Sequence, residues 1–197
     1  MTLHQATGER EWLDQACSLV DLALDHFADP SGDGRWYDVA DDAEQLVLRP
    51  SDPMDGATPS GASLIAEALQ LAAHLAPEAA AQRYAAAADV TLRSATVLLT
   101  RAPRAAGHWL AVAEAAVRGP IQIAVACEGP DSVLLAAARR LAPGGAVVVG
   151  GSDNSSVLLS DRPQVRGSDA AYVCRGRVCD LPVTTVEELA AALGPSV

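Results

Sequence analysis

The stretch from Ile121 to Gly151, "IQIAVACEGPDSVLLAAARRLAPGGAVVVGG", decides the fold. In its first seven residues Ile121, Ile123, Val125 and Cys127 fall on one side, the two-residue period of a strand. "PDSVLLAAARRLA" carries helical spacing and is closed by Pro143-Gly144-Gly145; "AVVVGG" reads as a second strand. Strands joined through one helix are expected to lie parallel, with a right-handed crossover. Downstream, "AAYVCRGRVC", Ala170 to Cys179, predicts a tight hairpin. "TTVEELAAAL" predicts a last helix with two overlapping capping boxes, Thr184 with Glu187 and Thr185 with Glu188.

Upstream of Gly119-Pro120 the period is that of helices. In "EREWLDQACSLVDLALDHF", Trp12, Ala16, Leu19, Ala23 and Phe27 recur at spacings of three and four, with Val20 and Leu24 beside them. "DPSGDG" stops this helix, and Trp36–Val39 and Leu46–Leu48 predict brief extended segments. The second helix starts within "RPSDPMDGATPSGAS", Arg49 to Ser63, with Thr58 as N-cap and Pro59 in the first helical position. Its expected buried stripe is Leu64, Ile65, Ala68, Leu71, Ala72 and Leu75, with Glu67, Gln70 and His74 facing away. A third helix is predicted from Glu78 to Leu99 and a fourth from Pro103 to Val117. The expected class is α+β. Antiparallel helical hairpins over residues 1–119 precede a small α/β unit over 120–197, with a parallel strand pair and a β-hairpin.

Half of the 197 residues are hydrophobic but only 4% are aromatic, so the helical core is built largely from alanine and branched aliphatics. Twenty-five acidic residues face 14 basic ones, all arginine, for a net charge of −11. That balance argues against a nucleic-acid backbone or an anionic membrane as partner, since both require clustered cations. No apolar run approaches the ~20 residues of a membrane span. The start, "MTLHQATGEREWLDQ", lacks the pattern of a secretory signal, which predicts a cytoplasmic protein.

Several motifs have plain structural readings. Asp29, Ser31, Asp33 and Gly34 imitate the opening of a calcium loop, but the twelfth position, which needs a bidentate acid, is Ala40. "CEGPD" and "GGSDNSS" follow the strands where parallel sheets bind ligands, yet neither a G-x-G-x-x-G nor a phosphate-loop lysine motif is present. His4, His26, His74 and His108 lack metal-ligand spacing, so neither metal nor cofactor is expected.

Cys174 and Cys179 allow two registers. A turn at Gly176-Arg177 sets them opposite each other as a non-hydrogen-bonded pair, a candidate redox pair; a turn at Arg175-Gly176 takes them out of register. Reduced thiols packed as small apolar groups are the expected state in a cytosolic protein.

The candidate ligand chemistry lies in "WYD" and "DPMDGATPSG". Trp36 and Tyr37 offer flat apolar faces suited to a sugar ring, and Thr58, Ser60 and Gly61 open a thin helix start. Asp38 and Asp55 are the candidate catalytic carboxylates, as acid and base on a glycosidic bond. Against this, the aromatics equally fill a gap under a loop, and Asp55-Gly56 equally makes a turn.

Two motifs in this order, D-G-A-T-P-S-G at Asp55–Gly61 and A-Y-V-C…C…P-V-T at Ala171–Cys174, Cys179 and Pro182–Thr184, resemble a known family. They are similar to the C-terminal portion of the spermatogenesis-associated thioredoxin-domain proteins. These join a thioredoxin-like domain to an (α/α) barrel of the six-hairpin glycosidase and N-acylglucosamine 2-epimerase type. Where the family pattern continues with asparagine, this chain has Ala62.

The resemblance implies a carbohydrate-related barrel fragment, without the thioredoxin-like domain and earlier hairpins. If active, it would be epimerase-, isomerase- or glycosidase-like. Such a fragment would bind a sugar-like ligand or complete its barrel with another chain, either a second copy or a separately encoded N-terminal partner. The rival expectation is a non-catalytic interaction module whose exposed helical face takes a partner.

Overall fold

The computed structural model describes residues 1–119, 121–152, 156–176 and 178–194. It is α+β, as the change of period predicts. Two compact units are formed, one from Met1–Asp14, His74–Pro77 and Arg118–Val197, the other from Gln15–Ala73 and Glu78–Val117. The division near residue 118 falls close to Gly119-Pro120, of which Pro120 lies outside the described residues. The first fourteen residues group with the sheet, which the sequence pattern does not reveal.

The chain begins with α1 (Thr2–Thr7), α2 (Arg10–His26), α3 (Gly61–Leu75), α4 (Glu78–Ser94), α5 (Thr96–Arg101) and α6 (Gly107–Arg118). Then come β1 (Ile121–Ala126), α7 (Val133–Leu141), β2 (Val147–Gly151), β3 (Ala170–Arg175), β4 (Val178–Cys179) and α8 (Val186–Leu193). Short 3₁₀ turns occupy Pro103–Ala105 and Val157–Leu159.

In the sheet unit the strand order is β2-β1-β3-β4. β1 pairs in parallel with β2, Ile123 facing Val148, and antiparallel with β3, Ile123 facing Val173. Ile121, Ile123, Val125 and Cys127 lie in one core with Leu134, Leu135 and Ala138 of α7, Val173 of β3 and Leu189 of α8. Each large side chain buried there stabilises by roughly 1.5–3 kcal/mol.

Ala124 and Ala126 are buried as well, as are Leu158 and Leu159 of the 3₁₀ turn that packs on β1 and β2. β1 is therefore covered on both faces, as strands of parallel pairing are. α1, which the sequence reading left without structure, packs on β2. Gln5 Oε1 accepts from the Val148 amide at 2.9 Å, and Arg139 Nη2 donates to the carbonyls of Gln5 and Ala6 at the end of α1. Ser132 caps α7, and of the two overlapping boxes only Thr185 with Glu188 caps α8.

In the helical unit several expectations are corrected. The N-cap of α3 is Ser60, not Thr58. Ser60 Oγ accepts from the Ser63 amide at 3.1 Å and its carbonyl takes the Leu64 amide, so Thr58 and Pro59 precede the helix. The buried face of α3 is Ala62, Ser63, Ala66, Leu69, Ala72 and Leu75; Leu64, at 48% exposure, lies outside it. On α2 Val20 is buried, whereas Leu19 is 67% exposed. The apolar stripes of both helices are wide enough to hold a second, outward apolar edge.

The predicted third helix is two. Ser94 Oγ donates to the carbonyls of Thr91 and Gly34, and α5 starts afresh after Ala95. The fourth begins four residues late, at Gly107, after the 3₁₀ turn. Of the expected extended segments, Trp36 makes a single bridge to Ala28, and Leu46–Leu48 forms no strand and is exposed. Among the described residues no helix is long and apolar enough to cross a membrane.

Candidate functional site

Asp55 sits at a junction of elements. Its Oδ1 accepts from the Ser60 amide at 2.9 Å and the Ser63 hydroxyl at 2.8 Å. Its Oδ2 accepts from the amides of His108 and Trp109 at 2.8 and 3.2 Å. The carboxylate thus occupies the free amides at the starts of both α3 and α6, where helix ends lack internal acceptors. Burial pushes its pKa up, but the donors from Ser60, Ser63, Trp109 and His108 outweigh this and hold it below the ordinary carboxylate value. Its backbone amide is also taken, by the Ala105 carbonyl at 2.8 Å. Both oxygens carry two donors each. That is the coordination of a structural anchor, and it leaves little lone-pair capacity for moving a proton.

The other predicted residues gather at a cleft of about 470 Å³ lined by Ala23, Phe27, Trp36, Tyr37, Asp38, Gly61, Leu64, Ile65 and Ala68. Asp55 is not among its lining residues, so the geometry joins Asp38, but not Asp55, to the aromatic pair. Trp36 is buried at 7% exposure, with Nε1–H donating to Thr91 Oγ1 at 3.0 Å and its carbonyl accepting from Ser51 Oγ at 2.7 Å.

Tyr37 is half-buried. Its hydroxyl donates to Asp29 Oδ2 at 2.8 Å, and the Arg49 guanidinium lies 4.0 Å from its ring centre. Hydroxyl and amide donation from Ser31, then the Tyr37 hydroxyl, hold the Asp29 carboxyl down at about 2, against opposing burial. Asp38 Oδ2 accepts from the Asp52 amide at 3.0 Å and is exposed at the rim. Of the helix-start residues only Gly61 lines the cleft; Ser60 is the buried cap, and Thr58 is exposed, its carbonyl taking the Gly56 amide.

One grouping is not legible from spacing, and a second settles which of two registers open to the sequence is adopted. His26 Nδ1, Asp41 Oδ1 and Asp42 Oδ2 converge within 4.8 Å, with His26 to Asp41 at 2.8 Å. The fifteen-residue separation hides this, because it is closed by the loop that Arg49 clamps through the His26 and Val39 carbonyls. In the sheet unit Cys174 faces Cys179 and Arg175 faces Val178, and the cysteines are joined as a disulfide. The expectation of reduced thiols is corrected. The hydrogen bond from the Asp180 amide to the Val173 carbonyl fixes the register, so the sulfurs meet in a non-hydrogen-bonded pair. Gly176 has φ +64°, as a hairpin turn opening on glycine requires; Arg177 lies outside the described residues, as do Asp153, Asn154 and Ser155 of "GGSDNSS".

Comparison with protein-family models, curated proteins and solved structures finds no match to this chain.

Proposed function

We propose that the helical unit is a non-catalytic protein-interaction module whose cleft is covered by another polypeptide, with a second copy of this chain as the occupant. The observation that carries this reading is the composition of the cleft. Its wall is Ala23, Phe27, Leu64, Ile65 and Ala68 beside Trp36 and Tyr37, and among the described residues the only charged side chain lining it is Asp38. An apolar surface of this kind suits hydrophobic side chains better than a hydroxyl-rich ligand. The edge of the cleft on α2 continues into Leu19, one turn before Ala23 and 67% exposed, with Leu22, 52% exposed, next to Ala23 in sequence. A ridge of leucines beside an apolar groove is self-complementary, which is what a two-fold contact between identical chains needs.

The carbohydrate reading is the second, favoured by Tyr37 and Asp38 standing at the same cleft. It would be a binding role, since Asp55 is spent on the starts of α3 and α6.

Sedimentation velocity over a concentration series separates the two. The wild type is expected to associate, and Leu22→Glu and Leu64→Glu each to remain monomeric with unchanged far-UV circular dichroism. A wild type that stays monomeric at every concentration, while Tyr37→Ala abolishes binding in a titration with a panel of neutral sugars, would replace the first reading by the second.

A further inference from the structure

The hairpin of β3 and β4 is unlike a buried structural cross-link. Cys174 is 1% exposed, whereas Cys179 lies on a two-residue edge strand and is exposed. Of the two half-cystines, Cys179 is thus the one on the solvent side, where a nucleophile can approach. The Arg162 guanidinium faces both: Nη2 lies 3.5 Å from Cys174 Sγ and 3.3 Å from Cys179 Sγ. Arg162 is itself positioned, its Nη1 donating to the Leu158 carbonyl and its amide to the Leu159 carbonyl.

A neutral disulfide gains little from an adjacent cation. A thiolate gains a great deal, because an opposite charge within about 4–6 Å lowers a pKa by about one to three units. The guanidinium thus serves the reduced state rather than the bonded one. The flanking residues are held independently of the sulfurs. Arg175 pairs with Asp180 at 2.9 Å and donates to the Ala192 carbonyl, and Asp180 N–H reaches the Val173 carbonyl. The hairpin therefore keeps its register when the disulfide opens.

We propose that Cys174 and Cys179 form a reversible thiol–disulfide exchange centre, with Arg162 as the positioning residue that stabilises its thiolates. The co-reactant is a thiol, either a small molecule or a reduced dithiol protein. Its thiolate attacks Cys179 Sγ, the Cys179–Cys174 bond breaks, and the electron pair leaves on Cys174 Sγ beside Arg162. A second thiolate then attacks the sulfur of the mixed disulfide that came from the co-reactant, releasing Cys179 as a thiolate. Overall two thiols are oxidised to one disulfide, the protein disulfide is reduced by two electrons, and the two protons finish on Cys174 and Cys179 or in solvent according to pH.

The test equilibrates the full chain, carrying Cys17→Ser and Cys127→Ser, with buffers of reduced and oxidised glutathione at pH 7. The reduced fraction is counted by alkylation and mass. The pH dependence of the iodoacetamide rate gives the thiolate pKa, compared among wild-type Arg162, Arg162→Gln and Arg162→Lys.

Reversible exchange under native conditions is expected. In Arg162→Gln the thiolate pKa should rise by about one unit or more, and the reduced fraction at a given buffer ratio should fall, while Arg162→Lys stays near wild type. Far-UV circular dichroism of both variants guards against a fold defect from losing the Leu158 contact. A disulfide that opens only in denaturant overturns the proposal, as does a thiolate pKa that is the same in wild type and Arg162→Gln.

Discussion

Replacing Asp55 by asparagine removes one negative charge and turns one acceptor oxygen into a donor. Four donors now converge on the carboxylate: the Ser60 amide, the Ser63 hydroxyl and the amides of His108 and Trp109. The amide side chain can satisfy two of them through its oxygen. Its NH₂ group must then face the other pair, donor against donor. Each buried donor left without a partner costs about 1–3 kcal/mol. Asp55 is only half-buried, so water recovers part of that loss, and the expected destabilisation is about 2–4 kcal/mol.

The assay is urea unfolding followed by tryptophan fluorescence, since Trp36 and Trp109 both belong to the helical unit. The midpoint should fall with an unchanged slope. The carboxyl is held below its ordinary pKa. Its stabilisation is therefore complete above the unfolded value of about 3.9 and disappears as pH falls through the lower folded value. The asparagine variant should lack this part of the acid-induced loss. A loss of stability below about 0.5 kcal/mol, within the range of an ordinary surface substitution, would refute the assignment of Asp55 as the anchor of α3 and α6.

Two further perturbations follow from the geometry of the helical unit. Gly34 has φ +84°, and a β-carbon there would lie 2.3 Å from the Val90 carbonyl oxygen, so Gly34→Ala should destabilise by about 2–4 kcal/mol in the same urea assay. The hydrogen bond that His26 Nδ1–H donates to Asp41, opposed by burial and assisted by the charges of Asp42, Asp41 and Asp25, raises the His26 pKa above 6.5. His26 should titrate above that value by NMR, and Asp41→Asn should bring it back. The stabilisation from this pair is full below the unfolded value and fades as pH rises through the folded one, so a His26 midpoint unmoved by Asp41→Asn would exclude the contact.

The sheet unit was more legible than the helical one, and the reason is physical. Strand alternation in Ile121–Cys127 and the glycines after Leu141 are local signals, and a hairpin of ten residues leaves only two registers to choose between. The helical unit hides its arrangement because alanine-rich helices carry apolar residues around much of their circumference. The pattern shows that α3 is amphipathic but not whether Leu64 or Ala66 is the inner edge. Asp55 shows the same limit in the site. A carboxylate beside aromatics suggests acid–base chemistry, but only the placement of α6, fifty residues on, reveals that its oxygens are occupied. Arg162 was missed altogether, since nothing between it and Cys174 marks the contact.

The most direct test of the interaction module places a photo-reactive benzoylphenylalanine at Leu64, on the cleft, in one isotopically labelled population, mixed with unlabelled wild type. Irradiation should yield a cross-link from the labelled cleft to the unlabelled peptide of α2 that carries Leu19 and Leu22. Cross-links confined to the labelled chain itself, at concentrations where the protein is most associated, would contradict the reading that a second copy covers this cleft.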